Sequence, residues 1–158
     1  MVRARLSHGR GSGSIPDLPT KKLWYHSSMK DTTGIGSVTE AMVLAALIRQ
    51  GKQVYIPFSG DSRSDLIVDG ESGLIRIQCK TGRLRNGCVE FRNYSQTSAG
   101  LRPYQKKDVD VFGVYCPANG KVYVVPIEEC GGQLTLLRIE PTKNNYKKGV
   151  RFAVKYEV

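Results

Sequence analysis

Residues 65–80 read Asp65-Leu-Ile-Val-Asp69-Gly-Glu-Ser-Gly73-Leu-Ile-Arg-Ile-Gln78-Cys-Lys80, two apolar-rich arms around the turn-forming Gly70-Glu-Ser-Gly73. Glycine and serine between β-branched runs mark a chain reversal, so the arms are expected to pair as an antiparallel hairpin. Side chains alternate along a strand, which places Ile75, Ile77 and Cys79 on one face and Leu74, Arg76, Gln78 and Lys80 on the other. At a rise of roughly 3.3 Å per residue, Gln78 and Lys80 point the same way about 6–7 Å apart, with Asp65 beside that end of the hairpin. A face of Arg, Gln and Lys suits plain solvent exposure as well as a polar site. Three other features weigh on that choice.

The spacing predicts a helix over 37–50. That segment has strong helix formers, no internal Gly or Pro, and Gly51 where a C-terminal cap belongs. Val38, Ala41, Met42, Ala45 and Ile48 fall on one side and Val43, Leu44 and Leu47 on the other, the pattern of a helix buried over most of its surface. Glu40 stands one turn before Leu44, an acid at the head of an apolar stripe. Ser37-Val-Thr-Glu40 also fits a capping box, in which the Glu folds back on the helix start. Capping is a sufficient reason for this Glu and does not exclude chemistry.

Charge points to a polyanionic partner. The chain has 24 Lys+Arg against 14 Asp+Glu, a formal net charge of +10. Between 76 and 107 the bases are Arg76, Lys80, Arg83, Arg85, Arg92, Arg102, Lys106 and Lys107, with Glu90 the single acid. From 143 to the end Lys143, Lys147, Lys148, Arg151 and Lys155 face only Glu157. Tyr94, Tyr104, Tyr146 and Tyr156 are interleaved, as on surfaces that meet phosphates and bases. Asp61, Asp65, Asp69 and Glu71 cluster beside the basic run, a setting that suggests divalent cations next to phosphate. A basic surface also serves solubility, so charge alone does not decide the function.

Taken in order, the motifs resemble the PD-(D/E)XK nuclease superfamily, and within it the small endonucleases associated with group I introns that act as homing enzymes. The resemblance is carried by Thr33-Gly-Ile-Gly-Ser-Val-Thr-Glu40, Gln50-Gly51, Val54-Tyr-Ile-Pro57-Phe58 as a strand, and Ser64-Asp65-Leu-Ile-Val-Asp69. It continues through Ile77-Gln78-Cys-Lys80-Thr-Gly-Arg83 and Asp110-Val-Phe-Gly-Val-Tyr-Cys-Pro117 to Lys121-Val-Tyr-Val-Val-Pro-Ile127. It covers residue 29 onward. The superfamily pattern has Asp or Glu where this chain has Gln78, and the intron-associated subgroup is similar to this chain in carrying Gln there. An amide oxygen can coordinate a cation or orient a water but brings no charge.

The resemblance implies hydrolysis of phosphodiesters in double-stranded DNA, with Mg2+ held by Asp65, Glu40 and the backbone carbonyl of Cys79. Glu40, Asp65, Gln78 and Lys80 would be the catalytic set. Lys80 would position the nucleophile and neutralise developing charge, and Gln78 would orient the water or ligate the metal. Asp61 competes with Asp65 for the ligand role, but its Ser59-Gly-Asp61-Ser-Arg-Ser setting is that of a loop. Arg83, Arg85, Arg92, Arg102, Lys106, Lys107, Lys147 and Lys148 are the candidate DNA contacts. A long target exceeds the reach of one small domain, so a homo-oligomer is expected. Two other readings are a DNA-binding protein that keeps the nuclease scaffold without cleaving, and a structure-selective junction resolvase.

Length and cysteine usage bound the rest. The 158 residues leave room for one domain with one core. Cys79, Cys88, Cys116 and Cys130 have no C-x-x-C spacing, and His8 and His26 fall outside the patterned region, which argues against a zinc site. No run is long enough to span a membrane and no apolar signal segment precedes the core, so reduced thiols in the cytoplasm are expected. Residues 1–28, rich in Gly, Ser, Arg and Pro, are expected to form a flexible basic leader ahead of a domain over 29–158, with Met29 a possible alternative start.

The remaining pattern predicts a strand over 87–91, a polar loop over 94–107, and a second hairpin of 110–115 and 122–127 around Pro117-Ala-Asn-Gly120. Edge strands are expected over 134–139 and 150–156. Asp110 resembles a family position, with a structural role such as bonding a neighbouring loop. The expected fold is α/β, a restriction-endonuclease-like core with a mixed central sheet and the N-terminal helix packed on it.

Overall fold

The computed structural model describes residues 32–141 and 148–158. The 1–28 leader and Lys147 lie outside the described residues. Helix α1 (Thr32–Arg49) is followed by β1 (Val54–Tyr55), β2 (Leu66–Gly70) and β3 (Gly73–Thr81). Then come β4 (Arg83–Arg85), β5 (Cys88–Arg92), β6 (Tyr94–Thr97), β7 (Gly100–Pro103), β8 (Val111–Cys116), β9 (Lys121–Pro126) and β10 (Leu134–Arg138). The central sheet has the order β1-β2-β3-β8-β9, parallel between β3 and β8 and antiparallel elsewhere. A second sheet, β10-β5-β4, lies beside it, and β6 and β7 form a separate hairpin. This is the mixed α/β architecture, one helix against a five-stranded mixed sheet, expected from the sequence.

The predicted hairpin is present in the expected register. Leu66 faces Ile77 and Val68 faces Ile75 across antiparallel strands, so Asp65 sits opposite Gln78. β3 is sandwiched. Ile77 and Cys79 enter a core with Val43, Ala46 and Leu47 of α1. On the sheet's other face Phe112, Val114, Tyr123 and Val125 pack against Val89, Phe91 and Leu137 of the second sheet. Gly113 in β8 permits the close helix contact, since a Cβ there would meet a methyl of Val43 at 2.6 Å.

Several expectations are corrected. α1 begins at Thr32 rather than 37, so Ser37 is interior and its hydroxyl donates to the Thr33 carbonyl, one turn back. The capping box does not form, and Glu40 is free of that duty. The helix is buried along one stripe only, Thr39, Val43, Ala46 and Leu47, while Val38 and Ile48 are exposed, because a single sheet covers one side of it. Gly51, at φ 74°, ends it with the paired bonds of a Schellman cap, Lys52 N–H to Leu47 O and Gly51 N–H to Ile48 O.

The strand predicted over 54–58 stops at Tyr55, just before Pro57, which has no N–H for a ladder, and leaves Ile56 and Phe58 exposed. The polar stretch 94–107 is largely the β6–β7 hairpin, closed at Gly100 with φ 115°. Over 150–156 there is no continuous strand; Phe152 bridges Arg138 and a 3-10 turn follows at Ala153–Lys155. All four cysteines are free, and no helix among the described residues is long and apolar enough to cross a membrane.

Asp110 has the structural role expected of it. Its carboxylate accepts from the Arg76 backbone N–H at 2.8 Å and from the Arg76 guanidinium at 3.0 Å, while that guanidinium also donates to the carbonyls of Lys106 and Lys107. These bonds from Arg76 hold the Asp110 carboxyl below its ordinary range. A depressed folded pKa adds stability above the unfolded value of 3.8, and that stability is lost as pH falls through the folded value. Asp110→Asn is therefore expected to destabilise the fold at pH 7 by about 1–2 kcal/mol, a figure reduced for partial exposure, with the gap to wild type shrinking as pH falls below 3.8. Urea unfolding at both pH values measures it.

Candidate active site

Antiparallel pairing sets Asp65 against β3, and backbone and side-chain donors hold it there. The Cys79 N–H donates to Asp65 Oδ2 at 2.7 Å, and the Gln78 amide donates to the same oxygen. The Asp65 N–H in turn donates to the Ile77 carbonyl at 2.8 Å. Burial raises the Asp65 carboxyl, against the lowering effect of the Cys79 N–H, the Lys80 charge and the Gln78 amide. The carboxyl is fixed in place at an electrostatic cost, a mark of functional positions as well as of structural pairs.

Glu40 reaches the same neighbourhood from the helix. Its carboxyl is raised by burial first and by the charge of Asp65 second. The buried Cys79 thiol, pushed far up chiefly by burial, feels Asp65, Glu40 and Lys80 together. Thr39, beside Glu40, and Thr81, beside Lys80, share a hydroxyl hydrogen bond of 2.7 Å that registers the helix against the strand.

Lys80 lies on the same strand face as Gln78 and is largely withdrawn from water. Its ammonium donates to the Tyr94 carbonyl at 3.3 Å, touches the Tyr104 hydroxyl at 3.5 Å, and stands 4.6 Å from the Tyr104 ring centre. Burial lowers its pKa, Asp65 opposes that, and Arg63 adds to it. The solvated-face alternative therefore fails at Gln78, which is buried, and Lys80, which is only partly accessible, while Leu74 at the turn end of the same face is exposed.

Glu40, Asp65, Gln78 and Lys80 are thus brought together from α1, the loop before β2, and β3. Asp69 is elsewhere, accepting from the Tyr55 hydroxyl at 3.0 Å, and Asp61 is exposed in its loop. Two further groups join the site, Arg63, which the sequence did not mark, and Tyr104, read there only as one of several interleaved aromatics. Arg63 and Tyr104 flank the site, the guanidinium carbon 4.0 Å from the ring centre. No strand pattern marks either, since Arg63 lies in the loop before β2 and Tyr104 just past the end of β7.

From Lys80 a groove of ≈ 1130 Å³ runs between the start of α1 and the second sheet, with Arg83, Arg85 and Arg92 in its wall. That exceeds the roughly 300–1,000 Å³ of small-molecule pockets. Arg83 faces Glu90 across β4 and β5, and Arg92 is two residues beyond Glu90, so both arginines share its sheet face. Arg102 projects from β7, while Lys106 pairs with Glu128 at the surface and Lys148 is exposed.

The fold and this clustered set define a PD-(D/E)XK protein. The chain belongs to the PD-(D/E)XK endonuclease family, whose sequence profile matches residues 30–158. The bacterial homing endonuclease I-Ssp6803I has a similar fold, with a TM-score of 0.64 over 80% of this chain and 88% of that chain at 18% sequence identity. No curated protein matches the chain.

Lys80 bears on stability as well as on chemistry. A lysine whose pKa is lowered on folding weakens the fold at neutral pH, and the penalty fades as pH rises from the folded value toward the unfolded 10.5. Lys80→Met, which keeps the stem and removes the charge, is expected to raise stability by about 0.5–2 kcal/mol at pH 7. Thermal melting measures this, and an unchanged or lower midpoint would contradict it.

Proposed function

We propose that the protein is a Mg2+-dependent DNA endonuclease, an intron-associated homing enzyme that acts on double-stranded DNA as a homo-oligomer. The observation that carries this reading is the adjacency of the held Asp65 carboxylate and the desolvated Lys80 ammonium at the head of an arginine-walled groove. The homing role leans further on the fold of I-Ssp6803I and on the sequence pattern around Gln78.

The donor set suits a hard cation. Asp65 Oδ2 is occupied by two N–H donors, and its other oxygen, Glu40 and the Cys79 carbonyl offer oxygen ligands. The raised carboxyls of Asp65 and Glu40, the latter raised in part by its neighbour, form a pair whose repulsion a divalent ion would relieve. No three Asp, Glu, His or Cys side chains converge among the described residues, so two carboxylates would carry the charge of the site. When bound, Mg2+ would supply an activated water and a counter-charge for the phosphate.

The chain's own groups divide the remaining work. Gln78 turns its NH2 toward Asp65 and the Cys79 carbonyl, so its first duty is to orient those oxygens. Lys80 offers a positive charge where negative charge builds on the phosphate, in surroundings that screen it less than water does. Arg83, Arg85 and Arg92 would hold the phosphate backbone along the groove, joined by Arg102, Lys106, Lys107 and Lys148 outside it; Lys147 is proposed as a further contact from the sequence alone. A DNA-binding protein without cleavage is the second reading, motivated by the neutral Gln78 in place of a third acid.

Supercoiled plasmid separates the two. Nicking is expected with Mg2+, lost on chelation, and reduced at least about 10²-fold in Asp65→Ala and Lys80→Ala. Binding without nicking, on an intron-insertion sequence as well, would favour the second reading. Arg83→Ala and Arg92→Ala are each expected to weaken DNA binding and lower the slope of log affinity against log salt by about 1, measured by fluorescence anisotropy.

A further inference from the structure

We propose that Tyr104 and Arg63 are positioning residues for Lys80, with the Tyr104 ring a platform that fixes the ammonium beside Asp65. The inference rests on the nuclease reading and adds to it how the lysine is aimed. A lysine side chain has a flexible four-carbon stem, and an ammonium that must meet one phosphate oxygen needs its direction set by neighbours. Here those neighbours are the ring, at 4.6 Å from Nζ, the tyrosine hydroxyl at 3.5 Å and the Tyr94 carbonyl at 3.3 Å. The ring attracts a cation through its face, most strongly where water is excluded.

The platform is itself fixed. The Tyr104 N–H donates to the Asn93 carbonyl at 3.0 Å, and its ring meets Phe112 edge-on at 5.6 Å. Phe112 is the residue paired with Gln78 in the adjoining strand, so ring and site share one strand register. Arg63 lies against the ring at 4.0 Å and donates to Ser95 Oγ at 2.8 Å, to the Pro103 carbonyl at 3.0 Å and to Asp108 at 3.4 Å. It thereby ties the β6–β7 hairpin to the loop that delivers Asp65. Its Nε is buried without a hydrogen-bond partner among the described residues, and its charge opposes that of Lys80. Two cations on one ring are a poor choice for stability alone, and a directed lysine gives the arrangement a use.

The test needs one readout that does not depend on cleavage. With 13C-labelled lysine, the Lys80 ε-methylene signal, assigned by its loss in Lys80→Arg, is expected upfield of other lysines because of the ring. It should return to the common lysine position in Tyr104→Leu and stay upfield in Tyr104→Phe. Single-turnover cleavage at saturating DNA should fall about 10²-fold in Tyr104→Leu with DNA affinity unchanged, and far less in Tyr104→Phe. Arg63→Lys, which keeps the charge and loses the three-way clamp, should shift the Lys80 signal part of the way. A Lys80 signal that does not move in Tyr104→Leu overturns the proposal, as does a loss confined to KM. Were the wild-type protein to cleave nothing, the nuclease reading would fall, and the NMR shift would still decide the platform.

Discussion

Burial of β3 on both faces is the constraint from which the site follows. Ile77 and Cys79 commit one face to the helix, and Gln78 and Lys80 are thereby turned to the other, where the second sheet and the β6–β7 hairpin close over them. Because strand side chains alternate, a slip of one residue would turn the lysine under the helix and Ile77 toward the second sheet. The bond from the Cys79 N–H to Asp65 ties the carboxylate to that same register. Packing and chemistry are therefore fixed by one choice of pairing.

The electrostatics run against stability in a consistent way. Asp65 and Glu40 are both harder to ionise than free carboxyls, and Lys80 is harder to protonate than a free lysine. Asp65 and Lys80 withdraw from water with incomplete compensation by their neighbours, while Glu40 stays exposed on the helix. Under the function proposed above, a divalent cation would offset the acids and a phosphate would offset the lysine and the arginines. The groove that leads from Lys80 carries Arg83, Arg85 and Arg92 in its wall, with Glu90 paired to Arg85 among them, so its charge is net positive.

Local signals in the sequence were strong where a strand pattern met a turn. The 65–80 hairpin could be read from alternation and turn residues, the pair β8–β9 from the turn signal of Pro117-Ala-Asn-Gly120, and both are present. The helix end was legible because Gly51 is the residue that adopts the left-handed cap at low cost. The helix start was not. Gly34 and Gly36 weaken a helix by local propensity, yet α1 runs through them, with Ile35 and Val38 in the wall of the groove and Ser37 bonded inside the helix. The β6–β7 hairpin was missed because its residues are polar on both sides and lack the alternation that marks a half-buried strand.

By itself the sequence determined which residues could carry chemistry, the pairing of the early hairpin, the basic character of the chain and the resemblance that ordered these into one family. Those depend on short spacings, on total charge and on motifs that survive without coordinates. Only the tertiary structure decided that Glu40 is not a cap, that Lys80 is withdrawn from water, and that Arg63 and Tyr104 gather around it. Each of those depends on contacts between segments far apart in the chain, and burial, which sets the strength of every charge in the site, is a property of the packed molecule rather than of any stretch of sequence.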